Sequence, residues 1–139
     1  MADPITILGA AVAASQLLQQ GFQITRFICE LYSKVQDAPE SIRKQVMQIE
    51  QLIDLARLIL QNPSLQTASV ASILSTCLRS AAEVQEILKK IYATTKDGQL
   101  KKVRIALMVV MKEKEILALF NSLEREKSSL TLCIHEIDA

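Results

Sequence analysis

From residue 5 the chain opens on a run, ITILGAAVAA, that is hydrophobic nearly all the way round a helix. Amphipathicity begins at Ser15. Leu17, Ile24, Ile28, Leu31 and Val35 recur at steps of seven, four, three and four, which places them on one helical face. Asp3 and Pro4 start this helix: a carboxylate can accept from the free first-turn amides, and proline at the first helical position loses nothing by lacking an N–H. No strong breaker follows before Asp37. The D-x-x-E spacing of Asp37 and Glu40 opens a second helix. Its apolar residues Ile42, Val46, Ile49, Ile53, Ala56 and Leu60 alternate steps of four and three, Leu52, Leu55 and Ile59 widen the seam, and Asn62-Pro63 stops it. After a turn over 64–67 a third helix carries Val70, Leu74, Cys77, Leu78, Ala81, Val84, Leu88 and Ile91, with another turn expected over 94–98.

Residues 100–111 form a short, strongly apolar helix containing IALMVVM, too short to span a bilayer and expected to plug an end of the bundle. The charged residues 112–115 mark an expected bend. Ile116, Leu119, Phe120, Leu123, Leu130, Ile134 and Ile137 then describe a final helix, and the mixed charges over 113–127 read as its solvated face. Turns after about 23 and 27 residues favour antiparallel neighbours over a long coiled coil. The expected fold is therefore all-α: an antiparallel helical bundle of four to five helices with a long N-terminal helix, forming one domain over 1–139.

Composition narrows what such a bundle does. With 50% hydrophobic residues, 3 Gly and 3 Pro in 139 residues, the chain is globular, and its length supports burial of roughly two-thirds of the unfolded surface. The balance of 16 Lys plus Arg against 15 Asp plus Glu removes the general attraction to phosphate, and no Trp, 3 Phe and 2 Tyr leave too little stacking surface. Nucleic acid is not expected as a partner. Cys29, Cys77 and Cys133 are odd in number and widely spaced, which fits neither a disulfide framework nor a zinc pattern; they read as small core residues in a reducing cytosol. Residues 5–14 look like the apolar part of a signal peptide, but the first positive residue is Arg26, so the required basic start is missing. A lone His135 and the lack of a Gly-rich phosphate loop, HExxH, C-x-x-C or G-x-S-x-G give no catalytic constellation. No enzyme activity, cofactor, metal or small-molecule substrate is expected.

Two features point to lipid. Residues 4–25 are 22 residues without a formal charge, about 33 Å as a helix against roughly 30 Å of bilayer hydrocarbon. Ile5, Ile7, Leu8, Ala11, Val12, Leu17 and Leu18 are the candidate membrane-insertion residues. Gln16, Gln19, Gln20 and Gln23, at i, i+3, i+4 and i+7, form a polar stripe opposite the apolar face. That stripe is either the solvated face of a soluble bundle or an assembly surface that meets other copies, or a wet lumen, while the apolar face meets lipid. The second feature is a local charge excess: Lys89, Lys90, Lys96, Lys101, Lys102 and Arg104 stand against Asp97 alone. With Tyr92 the one aromatic among them, anionic lipid headgroups suit these residues better than nucleic acid, while the bland alternative is solubilising charge beside a turn.

The stretches LYSKVQDAPESIRKQVMQIEQLIDLARLI, residues 31–59, and KEKEILALFNSLEREKSSLTLCI, residues 112–134, resemble the SesA family of fungal N-terminal domains, the second through its LEREKSSL core. With the apolar first helix, the resemblance covers almost all of the chain. It implies the N-terminal part of a larger fungal NOD-like receptor, a STAND protein with a NACHT-type NTPase domain as its partner in cis, within the HeLo-like group. It further implies a cell-death effector of fungal innate immunity and heterokaryon incompatibility, one that self-associates and permeabilises membranes through its N-terminal helix. Membrane lipids would be partners on activation, and the location would be cytoplasmic, moving to the plasma membrane. The four glutamines depart from a strong inserter and make assembly more necessary. A second reading stays open: a homotypic helical interaction or adaptor domain that recruits a downstream effector without membrane contact. The two differ in whether residues 5–14 meet lipid or protein.

Overall fold

Helices form where apolar residues recur at helical spacing, and the computed structural model contains no strand among the described residues. These are 4–33, 40–95 and 102–138 for the backbone and 9–30, 43–90 and 114–137 for the side chains. Helix α1 spans Pro4–Ser33, α2 Glu40–Gln61, α3 Ala68–Thr95 and α4 Lys102–Asp138. Between α2 and α3 the chain makes one 3-10 turn, Pro63–Leu65. Asn62 turns out of the helix at φ −126 and ψ 96, Pro63 needs no donor at the first position, and Leu65 is buried beneath the turn. Side chains close the end of α2, where the last carbonyls have no helical partner: Asn62 Nδ2 donates to the Leu58 carbonyl and Gln66 Nε2 to that of Ile59. The Val70 N–H then donates to Thr67 Oγ1, which caps the start of α3.

Successive helices run antiparallel, and α1 is the hub: it packs along both α2 and α3, α3 packs on α4, and α2 barely meets α4. One continuous core results. It takes Ala14, Leu17, Ile24 and Ile28 from α1, and Ile49, Leu52, Ile53, Ala56 and Ile59 from α2. Val70, Leu74, Cys77, Ala81, Val84 and Leu88 come from α3, and Ile116, Phe120, Leu123, Leu130 and Ile134 from α4. All but Ala14 are residues that the hydrophobic period selects. Among the described residues Gln45 is the buried polar exception. The seam between α1 and α2 turns on Gly21, where a Cβ would stand 2.6 Å from Ile53 Cγ1 and 3.0 Å from its Cδ1. The missing side chain sets how closely the two helices approach.

The bend expected at 112–115 does not occur. Helix α4 runs unbroken for 37 residues and merges the short apolar segment with the final helix, so the bundle has four helices. Lys and Glu are good helix formers, and no Gly or Pro interrupts residues 102–138, so charge alone gives the backbone no reason to stop. At 1.5 Å per residue α4 is about 55 Å long, against about 42 Å for α3 and about 33 Å for α2.

Two glycine substitutions should separate packing from helix propensity. Gly21→Ala forces a methyl against Ile53 and should lower stability by about 1 kcal/mol or more, the overpacking outweighing the helical gain. Gly9 has nothing within 4 Å of its would-be Cβ, so Gly9→Ala should raise stability by roughly 0.5–1 kcal/mol. Urea-denaturation midpoints that move in the same direction for both would show that the α1–α2 spacing does not depend on Gly21.

Candidate functional site

Helix α1 carries the insertion candidates and the glutamines on one rod clamped between two neighbours. Ala10, Ala14, Leu17, Gly21, Ile24 and Ile28 form its buried line. Among the insertion candidates, Leu17 is buried, Ala11 and Leu18 are half-buried, and Val12 is exposed at 54%. The side chains of Ile5, Ile7 and Leu8 lie outside the described residues. The described members therefore surround the helix instead of sharing one face, so the resting core covers only part of the set. Phe22 is also exposed, with the Arg57 guanidinium of α2 lying 5.4 Å from its ring centroid.

The glutamine stripe is partly engaged. Gln16, Gln19 and Gln23 are exposed, but Gln23 Oε1 accepts a hydrogen bond from Gln85 Nε2 on α3. Gln20 is half-buried, and its Oε1 is buried with no hydrogen-bond partner in the protein. An acceptor buried without a partner weakens the resting packing of α1. The face that spacing alone marks as polar is thus tied to α3 at one residue and frustrated at another.

Of the six basic residues, Lys89 and Lys90 are exposed towards the C-terminal end of α3. Lys96 and Lys101 lie outside the described residues, and the side chains of Lys102 and Arg104, at the start of α4, do so too. Lys89 shares a shallow depression with Gln23, Arg26, Phe27 and Glu30 of α1, where Arg26 Nε meets Glu30 Oε1 at 3.3 Å. The 18 residues from Gly9 to Phe27 measure about 27 Å along α1. The basic end and the apolar first turns therefore sit at opposite ends of the bundle.

The seam between α3 and α4 holds chemistry that the charge pattern hides. Within the run read as solvated, Lys114, Glu115 and Arg125 are exposed, but Glu124, Glu126 and Lys127 are half-buried. Glu126 fills the turn between the buried Leu123 and Leu130, where Ser80 Oγ donates to its Oε1 at 3.0 Å while its Oε2 is buried without a partner. Burial holds the carboxyl above the usual carboxylate range, outweighing the hydrogen bonds from Ser80 and Cys77 and the nearby charges of Arg125 and Arg79. Burial first, then the charge and hydrogen bond of Glu126, pushes the Cys77 thiol up to about 12, so it stays protonated at neutral pH and is no nucleophile. Cys133 is half-buried against the core, whereas Cys29 is exposed and does not fit the reading of these cysteines as core residues. Lys127 pairs with Glu124 Oε1 at 2.6 Å and donates to Gln51 Oε1, tying α4 to α2 where those helices barely meet. A signal for the cluster exists in the sequence: the apolar series skips a turn from Leu123 to Leu130, and residue 126 or 127 must fill it.

Among the described residues no group of three His, Cys, Asp or Glu is placed to hold a metal ion, and His135 is exposed. No helix of the described residues is long and apolar enough to cross a membrane. Comparison of the chain with protein-family models, curated proteins and solved structures gives no match. The described site is a helix without formal charge over residues 4–25, held by apolar packing, in a bundle whose seams contain unpaired polar atoms.

The sign of the Glu126 effect follows from its raised pKa. Its contribution to stability is complete below the unfolded-state value, about 4.3 for a free Glu, and is lost as pH rises through the folded-state value. The ionised carboxylate therefore weakens the α3–α4 seam at neutral pH. Glu126→Gln should raise the thermal midpoint at pH 7 and change it little at pH 4, where the native carboxyl is itself largely neutral. An equal change at both pH values would mean that the charge on Glu126 does not matter.

Proposed function

We propose that this domain is a cell-death effector of a fungal NOD-like receptor, kept inactive by the packing of α1 and turned on membranes when the receptor oligomerises. The observation that carries the reading is that the 22-residue uncharged stretch forms most of the hub helix, the element on which both α2 and α3 rest. Its resemblance to the SesA domains over residues 31–59 and 112–134 supplies the biological setting. Withdrawing each large buried aliphatic side chain costs on the order of 1.5–3 kcal/mol, and Leu17, Ile24 and Ile28 are all buried. A monomer therefore retains α1. Clustering by an NTPase domain in cis raises the effective concentration of neighbouring copies and offsets that cost through new contacts.

In the assembly, Gln16, Gln19, Gln20 and Gln23 turn towards other copies, and Ile5, Ile7, Leu8, Ala11, Val12, Leu17 and Leu18 meet lipid. The domain waits in the cytoplasm and acts at the plasma membrane, with no catalytic step of its own. The adaptor reading draws on Val12 and Phe22, which α1 leaves exposed and a homotypic partner would cover.

Dye release from anionic liposomes tests the proposal, comparing the monomer with the same domain fused to a forced oligomeriser. Clustering should accelerate release, and Ala11→Asp should abolish it, because a carboxylate at membrane depth costs about 2.5–3.5 kcal/mol per copy. Ala11 is half-buried, so helicity and thermal unfolding of the variant are measured alongside. Gln20→Leu removes a buried unpaired acceptor and should leave the monomer at least as stable while reducing release by the cluster. A folded Ala11→Asp variant that releases dye at the normal rate when clustered would transfer the assignment to the adaptor.

A further inference from the structure

Helix α2 gives one face to α1 and turns the opposite one outward. On that outer face Met47 is exposed at 58%, with Arg43 and Lys44 exposed one turn before it and Asp54 exposed two turns after. Beyond α1, helices α3 and α4 leave a shallow groove of about 630 Å³ on the surface of their seam. Ala82, Ile87, Ala118 and Leu119 make its floor apolar, and along the rim Glu83, Glu86 and Glu115 stand against Arg79 alone. Lys90, exposed close by, does not line it. An apolar knob flanked by cations and an apolar groove rimmed by carboxylates are complementary surfaces. Within one molecule they cannot meet, because Met47 faces solvent on the side of α2 away from the core.

The two surfaces stand at one height. Gly21 of α1 faces Ile49 and Ile53 of α2, level with residue 51, and the hydrogen bond from Gln85 to Gln23 puts Gly21 level with residue 83 of α3. Helix α2 runs opposite to α1 and α3, so Met47, four residues before 51, is level with Ile87, four after 83. The Ser80–Glu126 hydrogen bond between antiparallel α3 and α4 puts Leu119 level with Ile87 in turn. By the same count Arg43 is level with Glu115, and Asp54 with Ser80, next to Arg79.

We propose that the Met47 face of α2 docks into the α3–α4 groove of a second copy, joining folded domains head to tail. Met47 then lies on Ile87 and Leu119, Arg43 beside Glu115, and Asp54 beside Arg79. Because knob and groove are different surfaces, the contact is heterologous, and each docked pair keeps one of each free for further copies. Equal height decides the form of the assembly. Copies repeating with no rise along the helix axes close into a ring, whereas an offset would wind them into a filament. Every copy stands the same way up, so all the first turns of α1 are at one end of the ring.

The contact is weak. It covers about three turns of α2, about 18 Å, and it brings Glu50 near Glu83 and Lys44 near Lys90 as like charges. Interfaces that small are transient, so the free chain is mostly monomeric, and tethering at roughly millimolar local concentration brings the contact into use. The proposal takes its setting from the receptor-clustered reading above, but it involves neither the glutamines of α1 nor lipid, and α1 stays in the bundle.

Sedimentation of the 139-residue chain from about 10 µM to about 1 mM, without lipid and at low and high salt, tests this. The average mass should rise with concentration, and less so at high salt. Met47→Glu removes the knob and Ala118→Glu blocks the groove, and each should weaken self-association at least about 10-fold. Mixed together, the two variants should form a one-to-one dimer and nothing larger, since each retains the surface that the other lacks. Both positions are exposed. Helicity and thermal midpoints are recorded for each, and Glu83→Lys with Glu86→Lys replaces Ala118→Glu if that variant unfolds. A chain that stays monomeric throughout, undiminished association by either variant, or a mixture that fails to pair overturns the contact. Dye release is a separate readout: if the pairing holds while the clustered domain never releases dye, the contact stands and the permeabilising function falls.

Discussion

Everything in this bundle depends on how closely α1 can lie against its two neighbours. Gly21 lets the α1 backbone approach Ile53 of α2 to a distance no side chain would permit, and Leu17, Ile24 and Ile28 continue the same buried line into the common core. Because α2 and α4 barely meet, the bundle is not a closed ring of equal contacts. It is a chain of seams running from α2 to α1 to α3 to α4, and α1 joins the two halves. Removing α1 would leave α2 without its principal partner.

A helix so central would ordinarily be fixed, yet its surroundings contain groups that weaken the packing. Gln20 Oε1 and Thr25 Oγ1 on α1 are buried without partners, as are Glu124 Oε2 and Glu126 Oε2 on α4. Each such atom has lost water without gaining a hydrogen bond within the protein, a penalty that replacement by an apolar side chain would remove. These groups lie away from the aliphatic centre of the core, so they loosen the seams between helices more than the helices themselves. A domain proposed to exchange its own contacts for those of neighbouring copies benefits from seams that are individually weak.

Geometry also separates two regions that the sequence marks as candidates for lipid contact. The apolar start of α1 and the basic residues near the end of α3 lie at opposite ends of a bundle roughly as long as a bilayer is thick. One upright domain cannot press both onto the same headgroup layer while it stays folded. Contact through charge and insertion through α1, as proposed, would therefore belong to different arrangements of the chain.

The four helical tracts and most of the core were readable from the chain alone, because both follow from a local rule: residues three and four apart share a helix face. Leu17, Ile24, Ile28, Val70, Leu74, Cys77, Phe120 and Leu130 are buried as their spacing requires. The break at 112–115 was misplaced because mixed charge says which surface is wet, not whether the backbone can continue through good helix formers. Other features needed the assembled bundle. That Gln23 is bonded to Gln85, that Gln20 loses its partners, that Glu126 enters the α3–α4 seam beside Ser80 and Cys77, and that α4 outruns its neighbours all depend on residues 46 to 76 positions apart or on the relative lengths of packed rods. Periodicity assigns a residue to a face, but only tertiary packing decides what that face meets, because register between helices is set by side chains interlocking across the core and not by the spacing within either one.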